Sequence, residues 1–113
     1  MSDCLFCKIA VGDIPSNKVY EDDEVLAFRD IAPKAPTHIL IIPKKHIAAL
    51  AEVTEEDACL MGKIQLLAKK LAEQEGIAES GYRLLTNSGP DSGQEVAHLH
   101  YHLIGGEKLG DIC

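Results

Sequence analysis

No stretch of about 18 consecutive apolar residues occurs, so the sequence offers no candidate for a membrane-spanning helix. The first residues, Met1-Ser2-Asp3-Cys4, lack the basic and apolar regions of a secretory signal. Basic clusters are almost missing. Only Lys44-Lys45 and Lys69-Lys70 sit side by side, against a net charge of −7, which excludes the positive surface that nucleic acid needs. Internal repeats, low-complexity tracts and linkers are absent too. These absences predict a cytoplasmic protein that binds neither membrane nor nucleic acid and folds as one domain over residues 1–113. In that compartment the four cysteines, Cys4, Cys7, Cys59 and Cys113, are expected to be reduced. A small anionic ligand is still allowed, because backbone amides and histidines bind phosphate locally whatever the net charge.

What is present centres on His98-Leu99-His100-Tyr101-His102-Leu103-Ile104, followed by Gly105-Gly106. Alternating His and apolar residues fit a strand, so His98, His100 and His102 are expected on one face and Leu99, Tyr101 and Leu103 on the other, in a core. A solvent-facing strand has no structural need for imidazole three times running. Histidine is the side chain for proton transfer, metal binding and nucleophilic work near neutral pH. From the first to the last the strand travels roughly 13 Å. One metal ion with bonds of about 2.1 Å cannot collect all three.

The other elements follow from local pattern. Residues 4–11 read as a short helix that Gly12 ends, with Cys4 and Cys7 on one side of it. Lys18–Glu21 and Glu24–Arg29 read as a hairpin about Asp22-Asp23. The two prolines of residues 30–36 make a loop. Thr37–Ile42 is apolar enough for a central strand buried on both faces, with His38 near its start and His46 just beyond it. Thr54 to Gly76 reads as the long helix. Thr54 and Asp57 cap it, and Leu60, Met61, Ile64, Leu67, Ala68, Leu71 and Ala72 form its apolar stripe. Cys59 on this helix is expected to be a packed side chain. Tyr82–Asn87 is a further strand, and the turn-rich residues 87–94 lead to the histidine strand, expected over Ala97–Ile104. The architecture expected is α+β: a five-stranded antiparallel sheet with one long helix and a short N-terminal helix.

Gly89 and Gly93, just before the histidines, would let backbone N–H groups approach an anion. Cys4-x-x-Cys7 is half a zinc site and calls for two more nitrogen or sulfur ligands. A redox role would place the motif at a helix start directly after a strand, and no strand precedes it here.

His98 to Ile104 resembles the motif of the histidine-triad family. So do Thr37 to His46, Gly93-Gln94-Glu95-Val96, and the early Cys-x-x-Cys with Ile14-Pro15. Together these segments run from about Cys4 to Gly106, and they are most similar to the Hint-type nucleotide-binding branch in its bacterial form. The resemblance implies a homodimer that binds purine nucleoside monophosphates and hydrolyses their phosphoramidates through a nucleotidyl-histidine intermediate. It implies His100 as nucleophile, His102 on the phosphate oxygens, and His38 and His98 supporting the cluster. It implies Leu5, Phe6, Ile9, Phe28 and Ile31 around the base and Asp30 on the ribose hydroxyls. Asn87, Gly93, Glu95 and Val96 would meet the phosphate. In some bacterial members two histidines complete a zinc site, here His46 and His98 with Cys4 and Cys7. Four protein ligands leave no open position, which makes such a zinc structural.

Glu95 stands where the eukaryotic branch carries Ser near the leaving group, and Ala97 where a larger residue is common. The sequence ends at Cys113, soon after Gly105-Gly106, where other members extend a tail toward the site; this implies a different leaving-group side. Two other functions fit the same residues. One is a dinucleoside polyphosphate hydrolase, as in another histidine-triad branch. The other is a zinc-stabilised nucleotide-binding regulatory dimer with vestigial turnover.

Overall fold

The computed structural model describes residues 4–111; Cys113 lies outside them. Helix α1 (Leu5–Ala10) leads to the hairpin of β1 (Lys18–Glu21) and β2 (Val25–Arg29), then β3 (Thr37–Pro43). After two single 3₁₀ turns comes helix α2 (Ala58–Gln74), followed by β4 (Tyr82–Thr86) and β5 (Tyr101–Gly105). All strand pairs are antiparallel, in the order β1-β2-β3-β5-β4. This is the expected α+β architecture.

Alternation along the strands divides the core in two. Val25, Ala27, Ile39, Ile41, Leu99, Tyr101 and Leu103 meet the stripe Ile64, Leu67, Ala68 and Leu71 of α2. Leu26, Phe28, Leu40 and Ile42 face the other way and are covered by Phe6, Ile9 and Ala10 of α1. Hence β3 is buried along its whole length, as its unbroken apolar run requires.

Thr54 and Asp57 form the capping box, with the Thr54 N–H donating to Asp57 Oδ2 at 3.1 Å. The turn they cap, Glu55–Asp57, is 3₁₀, and regular α-helix starts one turn later than the pattern implies. Consequently Leu60 and Met61 are only partly buried. Cys59 corrects the expectation of a packed side chain: it is exposed, because the stripe turns its neighbours inward and leaves it on the wet side. Gly76 ends the helix at φ +76°, a backbone shape that suits glycine. The residue just before it, Glu75, takes both guanidinium nitrogens of Arg29 at 2.9 and 2.8 Å. That bidentate pair ties the helix end to the close of β2, where the loop carrying Asp30 begins.

Candidate functional site

The histidine segment pairs as a strand only from Tyr101, so His98 and His100 stand ahead of the ladder, which corrects the expected start at Ala97. The chain there is held by other bonds. The Leu99 N–H donates to the Ile47 carbonyl at 2.6 Å, and the His98 N–H to the Val96 carbonyl at 2.8 Å. Alternation nevertheless persists through the segment: Leu99, Tyr101 and Leu103 enter the α2 side of the core. The three imidazoles lie on the α1 side, where Phe6 packs edge-on against His98 and His100, with ring centres 6.0 and 5.1 Å away.

Each imidazole has one nitrogen fixed by a partner, and that partner decides what the other nitrogen can do. His100 Nδ1–H donates to the His98 carbonyl at 2.7 Å, so its Nε2 keeps a lone pair. Thr86 Oγ1–H donates to the His100 carbonyl at 2.7 Å and steadies the same peptide from β4. His38 opens the neighbouring strand opposite Ile104, diagonal to His102. Its Nδ1 accepts the Lys34 N–H at 3.0 Å, which leaves Nε2–H to donate to His102 Nδ1 at 2.9 Å. His102 in turn carries its proton on Nε2. Burial, then the neighbouring His100 and His38, hold the His102 pKa down to about 4, so the ring is neutral at pH 7. Burial likewise lowers His38, against the pull of Asp30, whose Oδ2 lies 3.4 Å from His38 Nε2.

These groups border a cavity of about 290 Å³ lined by Asp30, His38, Asn87, Gly93, Glu95, His100 and His102. Asp30 is held by its own loop, with Oδ1 accepting the Ala32 N–H at 2.8 Å. The remaining expected nucleoside contacts lie elsewhere. Phe6, Ile9 and Phe28 are buried in the α1 layer beneath, while Leu5 and Ile31 are exposed. Val96 packs at the edge of that layer. Lys34, Leu85 and Ile104 also line the cavity and were not foreseen. Strand pairing carried the signal for the two apolar ones, since Leu85 pairs with His102 and Ile104 with His38.

The glycine loop works differently from the expected cradle. Its Gly93 N–H donates to the Pro90 carbonyl at 3.0 Å and its Gly89 N–H to Gln94 Oε1 at 2.8 Å. Both glycines therefore shape a turn, at φ +90° and +87°, rather than offering those N–H groups to an anion.

Beyond His98 a second cluster forms. Cys4, Cys7, His46 and His98 bring their donor atoms within 4.8 Å of one another. Cys4 Sγ is 3.3 Å and Cys7 Sγ 3.6 Å from His98 Nδ1, and Cys7 Sγ is 3.3 Å from His46 Nδ1. Tetrahedral zinc with bonds of about 2.0–2.3 Å separates its ligand atoms by roughly 3.3–3.8 Å, so the set needs little adjustment. His98 is prepared for such a role: its Nε2–H donates to the Pro43 carbonyl at 2.8 Å, which leaves Nδ1 bare and aimed at the sulfurs. Burial and the neighbouring Cys4 raise the Cys7 pKa, an effect that a bound cation reverses.

The sequence matches the HIT domain family over residues 11–109. It is 53% identical over 108 residues to a purine nucleoside phosphoramidase of Escherichia coli K12, covering 96% of this chain and 91% of that one. It is 46% identical over 105 residues to the protein HitA of Neisseria gonorrhoeae, covering 93% and 97%. Among solved structures, a HIT family hydrolase from Legionella pneumophila superposes with a TM-score of 0.94 at 56% identity, over 96% of each chain. A histidine triad protein from Clostridium difficile gives 0.95 at 49% identity, over 98% of this chain and 96% of that one.

Proposed function

The chain belongs to the HIT domain family, and on that premise we propose that it is a purine nucleoside phosphoramidase, a hydrolase that cleaves the P–N bond of nucleoside 5′-phosphoramidates. The observation that carries this reading is the bare Nε2 of His100, created by the 2.7 Å bond from Nδ1–H to the His98 carbonyl and presented to the cavity.

The reaction proceeds in two displacements. His100 Nε2 attacks phosphorus, the P–N bond to the leaving amine breaks, and the amine departs with a proton drawn from solvent water. Water then attacks the nucleotidyl-histidine and returns one proton to solvent, the phosphorus–imidazole bond breaks with its electron pair on Nε2, and the nucleoside monophosphate is released. As its Nε2 bonds to phosphorus His100 becomes cationic, and the His98 carbonyl on Nδ1–H favours that charge. His102 Nε2–H donates to a phosphoryl oxygen, in the tautomer that His38 imposes on it. The Asn87 amide and the backbone of Glu95 and Val96 hold the phosphate, with Gly93 shaping the turn before them. Asp30 accepts from the ribose hydroxyls. Leu5, Phe6, Ile9, Phe28 and Ile31 frame the base.

Cys4, Cys7, His46 and His98 would hold a structural zinc in this reading, which would tie the start of α1 to the residues ahead of the histidine strand. The protein is read as one domain over residues 1–113 and as a cytoplasmic homodimer. Among the described residues no helix is long and apolar enough to cross a membrane.

Intact-mass analysis after millisecond quenching tests the chemistry. Wild type mixed with adenosine 5′-phosphoramidate should carry an AMP adduct that His100→Ala lacks. An adduct retained by His100→Ala, or turnover in that variant, would refute the assigned nucleophile.

A further inference from the structure

Lys34 lies in the loop between β2 and β3, and its side chain has no part in the roles described so far. Its backbone N–H fixes His38, and the residue borders the cavity. Among the described residues lining that cavity it is the one Lys or Arg, facing two carboxylates, Asp30 and Glu95. Neither His38 nor His102 supplies the missing positive charge. His38 and His102 are held neutral at pH 7, and Lys34 itself contributes to the lowering at His38, so its charge reaches the cluster. An anionic nucleotide entering this cavity thus meets two negative groups and a single permanent cation.

We propose that Lys34 is a specificity-determining residue whose ammonium pairs with a phosphate of the nucleotide and so selects anionic substrates. This rests on the phosphoramidase reading. That phosphate is the 5′-phosphoryl group being transferred. Lysine suits the task because it acts as a mobile point charge from an exposed loop, without the fixed fork of arginine.

The test is clean because only the side chain is at stake. Lys34→Ala and Lys34→Gln keep the N–H that holds His38. With adenosine 5′-phosphoramidate, Lys34→Ala should raise KM about tenfold, the size of one charge-assisted hydrogen bond, with kcat changed less than twofold. Lys34→Arg should restore most of the loss. The wild-type KM should climb with added salt, and that dependence should be weaker in Lys34→Ala. Calorimetry should show AMP binding weakened by a similar factor and adenosine binding unaffected. Wild-type turnover with KM and AMP affinity unchanged in Lys34→Ala overturns the inference alone. If wild type hydrolyses no phosphoramidate yet Lys34→Ala weakens AMP binding, the proposed function falls and the role of Lys34 stands.

Discussion

Replacing His38 by leucine should damage the reaction through a ring that never touches the reacting phosphorus. His38 is only 4% exposed and makes two bonds. Its Nδ1 accepts the Lys34 N–H at 3.0 Å, and its Nε2–H donates to His102 Nδ1 at 2.9 Å. Leucine fills similar space and offers neither. The Lys34 N–H sits on an exposed loop and can turn to water. His102 Nδ1 is more enclosed, and a buried acceptor left unpaired costs about 1–3 kcal/mol. The expected loss of stability is therefore about 2 kcal/mol, readable in urea denaturation. Catalysis should suffer as well. With no donor at Nδ1, the proton of neutral His102 is free to move there, and Nε2 then meets the phosphoryl oxygen with a lone pair. Losing one hydrogen bond to a charged group of about 1.5–3 kcal/mol lowers kcat roughly 10- to 150-fold. Nitrogen-15 spectra of the His102 ring would report the tautomer directly. His38→Gln, whose amide can still donate, should recover part of kcat and the Nε2–H tautomer. If His38→Leu keeps both the wild-type kcat and the Nε2–H form of His102, the tautomer argument is wrong.

Other consequences can be measured with less effort. His102 has its pKa lowered to about 4, so as pH falls the unfolded chain, with an ordinary value near 6.5, takes its proton first. The stability tied to this ring is complete above about pH 6.5 and lost as pH falls toward 4, by roughly 1–2 kcal/mol once solvent screening of a partly exposed ring is allowed for. His102→Gln should accordingly lose less stability than wild type between pH 7 and pH 4.5 in urea melts, and equal losses would contradict the assignment. Stripping metal with a strong chelator should lower Tm by about 10 °C or more, and Cys7→Ala should melt low without responding to chelator. A wild-type Tm indifferent to chelation would argue against a metal at Cys4, Cys7, His46 and His98. Cys59, exposed on α2, should be alkylated in the native protein within minutes, and peptide mapping that finds it unmodified would place it in contact with something else.

The residues legible in the sequence were those whose side chains follow a period. Alternation placed Leu99, Tyr101 and Leu103 in one layer, and the unbroken run Ile39 to Ile42 implied a strand covered on both faces. What escaped was decided by backbone atoms, which every sequence possesses and none advertises. The His98 carbonyl, the Pro43 carbonyl and the Lys34 N–H set the free nitrogens of His100, His98 and His38, and only the path of the chain brings them there. The glycine loop misled for the same reason: residue types that permit an anion cradle also permit a turn whose N–H groups bond inward. Cys59 misled because a stripe fixes which residues face the core but says little about those at its margin.

His98 shows why the two clusters are better understood as one construction. Its Nδ1 points at Cys4 and Cys7, its Nε2–H is tied to Pro43, and its carbonyl holds the proton of His100. The ring is fully buried, and Phe6, which lies between the two cysteines in sequence, rests against both imidazoles. Pulling α1 away from His98 would therefore disturb the peptide that sets the tautomer of His100, although neither Cys4 nor Cys7 lines the cavity. A metal at these four residues would act on the reaction without meeting the substrate, by fixing where one carbonyl oxygen sits. That oxygen, 2.7 Å from His100 Nδ1, separates an imidazole whose Nε2 is bare from one free to carry its proton on either nitrogen.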